Sequence, residues 1–153
     1  MAATGKNYVV DDFTTVYSTA VLVPGTVIES EGNEYRFVKN SDTVAAAVSN
    51  IAVFSGTVNM DEITTDTSEG IAQHAAGIVM AAMATGEYGF VQKAGVYGSS
   101  IWAGVVSAAD VGLGCIVGGD GSLTVHAGEV PSFGVCLNAG TGTNADVAVM
   151  LAL

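Results

Sequence analysis

Glycine is the feature that most limits what this chain can fold into. The 153 residues contain 20 glycines and only 2 prolines, and the glycines divide the sequence into short apolar runs. Runs of about five to nine residues suit strands, because a helix needs a longer uninterrupted 3.6-residue periodicity. Without helices between them, the strands cannot follow a βαβ plan. The sequence therefore predicts a mainly β fold, either an antiparallel β-sandwich or a small β-barrel, with an extended N-terminal arm.

Two hairpins are the clearest local prediction. The first turns around Gly32 and Asn33 into residues 34–39, and the second turns through residues 118–121. In both, apolar and polar residues alternate, which is typical of strands with one buried face. The strands predicted are residues 34–39, 51–58, 77–84, 89–97, 100–107, 114–117, 122–127, 133–137 and 146–153.

Three other segments carry weaker or unusual patterns. Residues 43–49 are rich in alanine and allow a short helix, and residues 60–70 carry four carboxylates and predict an exposed loop. The last strand, residues 146–153, is apolar on both faces. Such a strand must be covered, either as a central strand of a barrel or sandwich or by a neighbouring subunit.

Residues 1–25 differ from the single β domain predicted for residues 26–153, because they hold few glycines and no clear turn. Two interpretations remain open: they form the first strand of the domain, or an extended arm that adds to the surface of another protein. The arm interpretation makes Tyr8, Val9, Val10, Phe13 and Tyr17 candidate partner-binding residues.

Charge excludes several classes of partner. Four Lys and Arg residues stand against 15 Asp and Glu, and the net charge of -11 leaves no basic stripe for nucleic acid. The apolar runs fall short of the roughly 20 residues that span a bilayer, and Asp11 and Asp12 interrupt any signal peptide. The short apolar runs thus argue against a membrane partner. Carboxylates gather in turns while the strands are apolar, which indicates an assembly subunit covered by protein neighbours.

No catalytic constellation is visible. The two histidines are His74 and His126, and His126 lies on the polar face of a predicted strand with no carboxylate at a local spacing. Residues 98–102 miss the nucleophile-elbow pattern at their last position. Cys115 and Cys136 lie in apolar strands, where we expect two reduced, buried thiols rather than a disulfide or a nucleophile. The sequence therefore predicts no enzyme, no cofactor and no metal site.

Several motifs resemble those of small virion proteins of tailed bacteriophages. A Gly-apolar-Ala strand over residues 76–82 turns through Gly86, Glu87, Tyr88 and Gly89 into an aromatic-Val-Gln strand. Residues 32–39, 117–123, 133–135 and 147–153 continue the likeness, which thus covers the chain from about residue 25 to its end. The chain looks like a member of the capsid decoration, or cement, proteins of these phages.

The resemblance implies a structural protein made in the host cytoplasm. Such proteins bind the outside of the phage head, contact the major capsid protein, often form trimers and stabilise the capsid. The alternative is a carbohydrate- or receptor-binding β module of a head or tail fibre, for which Trp102 and Tyr97 are the candidate aromatic platform.

Overall fold

The computed structural model describes residue 10 and residues 12–55, 61–65, 75–98, 111–117, 121–126, 134–137 and 149–152. These residues form ten strands and no α-helix. The strands are β1 (Val27–Ser30), β2 (Asn33–Asn40), β3 (Ile51–Phe54), β4 (Glu62–Thr64), β5 (Ala75–Val79), β6 (Tyr88–Tyr97), β7 (Gly114–Val117), β8 (Leu123–His126), β9 (Gly134–Cys136) and β10 (Val149–Ala152).

Five of the strands close into a barrel. Around the ring the order is β2, β4, β3, β5 and β6, and β6 pairs again with β2. This confirms the predicted mainly β fold with a small barrel. The ring is not wholly antiparallel, because β4 folds back on β3 and so runs parallel to β2 on its other side.

The two longest strands extend past the barrel and carry the remaining sheet. β1 pairs with the first half of β2, and β10 pairs with the last four residues of β6. Beyond β10 follow β9, β7 and β8. The apolar last strand is thus confirmed as a central strand, since β10 lies between β6 and β9.

Small side chains fill the barrel interior. A single buried cluster draws on all five barrel strands, as inward-facing side chains of a closed ring do. Its strand members are Val38, Ala52, Ile63, Ala76, Val79 and Val91. Ala46 and Met83 complete the cluster and close one end of the barrel, where they exchange two backbone hydrogen bonds of 2.9 Å. Alanine on two strands suits the narrow interior of a five-stranded ring.

Aromatic rings form a second core on the outside of β2 and β6. Because Val38 and Val91 point inward, the preceding residues Phe37 and Phe90 point outward. These two phenylalanines are paired across the strands, are 0% and 1% exposed, and have ring centroids 5.1 Å apart. Such burial on an outer face requires a cover, which the segment before β1 supplies.

The first predicted hairpin is confirmed. β1 and β2 are joined by Glu31 and Gly32, with φ angles of 52° and 79°, and Ser30 pairs with Asn33. Two positive φ angles in a two-residue connection match a type I′ turn, whose twist fits the flanking strands.

The helix allowed for residues 43–49 is not formed. Asp42 Oδ1 accepts a hydrogen bond from the Val44 N–H at 3.2 Å, and Asn40 Nδ2 donates to the Val44 carbonyl at 3.1 Å. The Val44 carbonyl, which a helix would pair with the N–H four residues later, is instead bound by the Asn40 side chain. Ala46 instead forms an isolated bridge with Met83.

Two other predictions are corrected and one is not described. The strand predicted at residues 77–84 is β5, which ends at Val79 because Met83 turns away to pair with Ala46. Residues 60–70 are not simply an exposed loop, since they contain β4, whose Ile63 is 0% exposed in the barrel. The strand predicted at residues 100–107 lies outside the described residues.

Candidate partner-binding surface

The structure describes three of the five predicted partner-binding residues. Tyr8 and Val9 lie outside the described residues, while Val10, Phe13 and Tyr17 are all half-buried. The described residues before β1 contain no strand. The rings of Phe13 and Tyr17 contact those of Phe90 and Phe37 on the outer face of β2 and β6 in the same chain. Their contact with a partner stays a prediction.

Aromatic contacts hold this segment in place. The Phe13 ring stacks on Tyr35 at 3.8 Å and meets Phe90 edge-on at 5.2 Å. Tyr17 exchanges backbone hydrogen bonds of 2.8 and 2.9 Å with Tyr88, in an isolated bridge. Phe13 and Tyr17 therefore form the cover of the outer aromatic core.

The described residues offer little for catalysis or metal binding. In that part of the chain, no group of three or more His, Cys, Asp or Glu side chains is arranged to hold a metal ion. His74 lies outside it, and His126 ends β8. The same residues include no helix with the length and apolarity to cross a membrane.

The two cysteines lie on neighbouring strands and are both 0% exposed, which confirms their predicted burial, while their reduced state stays a prediction. Burial raises the pKa of Cys115 to about 12, and the nearby Cys136, which hydrogen-bonds with it, adds to the shift. A thiol that stays protonated at neutral pH is a poor nucleophile.

One cation sits at the barrel end opposite Ala46 and Met83. The guanidinium carbon of Arg36 lies 5.1 Å from the centre of the Phe54 ring. Burial lowers the pKa of Arg36, against the opposing effect of Glu34, and its buried Nε has no hydrogen-bond partner. Glu34 itself forms an ion pair with Lys93.

The closed end of the barrel presents an uncharged apolar surface, which we call the tip surface. Its members are the exposed residues Val44, Ala45, Ala47, Val48, Ala82 and Ala84. The two valines are 61% and 53% exposed. Exposed apolar residues scattered singly are ordinary, whereas large contiguous apolar patches are typical of interaction sites.

Hydrogen bonds between side chains and the backbone connect the loops of the tip surface to the barrel. Asn40 is 0% exposed, and its Nδ2 also donates to the Met83 carbonyl at 3.0 Å. Asp42 Oδ2 accepts a hydrogen bond from the Thr65 N–H at 3.3 Å, and Glu87 Oε2 accepts one from the Ala84 N–H at 2.7 Å. Both loops that carry the apolar side chains are therefore hydrogen-bonded to side chains at the ends of the neighbouring strands.

The tip surface was not predicted from the sequence. One signal exists: no acidic or basic residue occurs from residue 43 to residue 60, in a chain with 15 carboxylates. Ala46 pairs with Met83 and so joins the two loops into one surface. The two residues are 37 positions apart, so no local sequence pattern indicates their pairing.

The predicted aromatic platform is only half described, because Trp102 lies outside the described residues. Tyr97 is 6% exposed, and its hydroxyl shares a 2.7 Å hydrogen bond with the Ser49 hydroxyl. Its ring therefore belongs to the packed interior and presents no face for stacking on a sugar.

No protein-family model matches the chain, and no curated protein matches it. Among solved structures, the chain is similar to the head fiber gp8.5 N base of bacteriophage phi29. The TM-score is 0.52 at 13% sequence identity, and the match covers 77% of this chain and 92% of that one. At this identity the likeness shows a shared fold, and it extends over nearly the whole of the phage domain.

Proposed function

We propose that this chain is a structural protein of a tailed-phage virion, displayed on the outside of the head. There it acts as a decoration protein that contacts the major capsid protein, associates with further copies, with a trimer favoured, and stabilises the shell. The observation that carries the proposal is the fold shared with nearly all of a phage head fiber base.

Two properties of the chain support this role. A closed barrel with a second, aromatic core on its outer face gives a rigid body from a chain of modest length. The net charge of -11 repels DNA, which favours the exterior of a head over its genome-filled interior.

The test uses heads assembled without this chain and the purified full-length protein. We expect the protein to sediment with the heads and to raise the temperature at which they release DNA. An unrelated acidic protein of similar mass and net charge controls for non-specific attraction. Failure to bind heads, together with absence of the chain from purified virions by mass spectrometry, would overturn the proposal.

A second candidate is a fibre module that binds a carbohydrate or receptor. It is favoured by the same neighbour, which is described as the base of a head fiber. Glycan-array binding and inhibition of phage adsorption would support it. Head binding without thermal protection would also favour a fibre base over a cement role.

The predicted N-terminal arm adds a separate expectation. If Tyr8, Val9, Val10, Phe13 and Tyr17 grip the shell, deletion of residues 1–20 abolishes head binding. Because Phe13 also packs on Tyr35, point variants at Tyr8 and Val9 are the sharper test. Unchanged binding by the double alanine variant at these two positions would remove them from the contact.

A further inference from the structure

Cys115 and Cys136 are the only cysteines of the chain, and the fold brings them together on paired strands. Cys115 on β7 lies opposite Gly134 on β9, and Cys136 follows two positions after that glycine. Alternate residues of a strand point to the same face, so both thiols lie on one face of the sheet. Gly134 has no side chain that could separate them. Each cysteine is 0% exposed.

We propose that this pair is a site of oxidative cross-linking, at which a peroxide converts the two thiols into a disulfide that joins β7 to β9. The reaction is a property of the folded chain alone. Its place rests on the proposed function, because a virion protein leaves the reducing host cytoplasm and then meets conditions in which disulfides persist. There the cross-link would stabilise the outer sheet.

The contact between the two cysteines favours this chemistry. Their thiols hydrogen-bond with each other. The Cys136 N–H donates to the Leu113 carbonyl at 3.1 Å, and the Cys136 carbonyl accepts from the Gly112 N–H at 2.8 Å, so its backbone is held beside β7. Diagonal neighbours on paired strands are about 7–8 Å apart, and a disulfide spans Cα atoms up to about 7 Å apart. Closing of the two strands by about 1 Å therefore permits the bond.

The oxidation proceeds in two balanced steps. One thiol loses its proton and attacks an oxygen of hydrogen peroxide, the O–O bond breaks, and a sulfenic acid and one water form. The second thiol then attacks the sulfenic sulfur, and a second water leaves as the S–S bond forms. Two thiols are thus oxidised, and one hydrogen peroxide is reduced to two waters.

Burial makes the reaction slow, and pairing determines its product. Burial raises the pKa of Cys115, so little of the reactive thiolate exists at neutral pH. Peroxide reaches the pair through local opening of β7 and β9, which have only four and three residues. Once one sulfenic acid forms, the adjacent thiol traps it before further peroxide oxidises it to a sulfinic acid.

The experiment exposes the purified, reduced full-length chain to hydrogen peroxide under native conditions. Remaining thiols are then blocked with iodoacetamide in urea, and the chain is cleaved after Glu129, which lies between the two cysteines in the sequence. In the wild type, the two cysteine peptides should stay joined until a reductant is added, and the protein should run as a monomer on a non-reducing gel. The oxidised wild type should melt about 5 °C above the reduced form.

The matched controls are Cys115→Ala and Cys136→Ala, each of which keeps one thiol. After the same treatment they should give no joined peptides and no rise in melting temperature, and their remaining cysteine should be found as a blocked thiol or a sulfinic acid. Circular dichroism should show all three chains folded before oxidation.

Each outcome bears on a different statement. Wild-type peptides that remain separate, as blocked thiols or sulfinic acids, overturn the cross-link, and so do peptides joined only between two chains. A joined pair without a higher melting temperature overturns its stabilising role. A chain that forms the cross-link but neither binds heads nor occurs in virions overturns the proposed function and leaves the reaction standing.

Discussion

Asn40 is the residue whose removal should most directly test how the closed end of the barrel is held. Its side chain is 0% exposed and makes three hydrogen bonds to backbone groups. Nδ2 donates to the carbonyls of Val44 and Met83 at 3.1 and 3.0 Å, and Oδ1 accepts from the Asp42 N–H at 3.0 Å. The variant Asn40→Ala removes all three.

The expected loss follows from these partners. A hydrogen bond contributes about 1 kcal/mol net, and a buried group left without a partner costs about 1–3 kcal/mol. The Met83 carbonyl still accepts from the Ala46 N–H, and water can reach the exposed Val44. We therefore expect the free energy of unfolding to fall by about 2–4 kcal/mol, and the melting temperature by roughly 5–15 °C.

Urea denaturation of the wild type, Asn40→Ala and the control Thr43→Ala measures this loss. Thr43 is exposed in the same loop, so its variant should change the free energy of unfolding by less than about 0.5 kcal/mol. If Asn40→Ala lost no more than the control, the hydrogen bonds of Asn40 would not be what fixes the tip surface.

Three further predictions concern other parts of the fold. Phe13→Ala removes the stack on Tyr35, so the free energy of unfolding measured by urea denaturation should fall by about 2 kcal/mol. An unchanged free energy would show that the segment before β1 is not packed as described. Because the pKa of Cys115 is raised from 9.0 to about 12, the wild type should lose stability as pH rises between these values. Cys115→Ala should lose less over that range in alkaline denaturation, and an equal loss would contradict burial of the thiol. Arg36→Met keeps a side chain over Phe54 and removes the unpartnered Nε. The free energy of unfolding should therefore change by no more than about 1 kcal/mol. A loss above about 3 kcal/mol in calorimetry would show that the Arg36 guanidinium has a hydrogen-bond partner in the folded protein.

Local sequence patterns were sufficient to predict strands that are joined by a short turn or are apolar along their whole length. The β1–β2 hairpin was predictable because Gly32 supplies the positive φ angle that its turn requires. The need to cover the last strand followed from its being apolar on both faces, and the pairing of β10 with β6 and β9 then made it a central strand. The buried state of Cys115 and Cys136 followed likewise from their apolar neighbours.

Other features have no local signature. The three-residue β4 is a strand because Ile63 fits the gap between β2 and β3, although its acidic and Thr-rich surroundings indicate a loop. Residues 43–49 have a helical composition, but Ala46 in their middle pairs with Met83, 37 positions away. In both cases partners distant in the sequence outweighed local preference.

The sequence by itself determined the class of fold, the absence of a basic surface and the need to cover its apolar strands, because glycine spacing, charge and hydropathy are local properties. Only the tertiary structure decided that β2 and β6 meet to close a barrel, and that Phe13 covers the rings outside it. It also brought residues 43–49 and 80–86 together into the tip surface. Closure of the barrel and covering of the outer rings depend on contacts between residues far apart in the sequence. These contacts stabilise the protein only once the chain has folded.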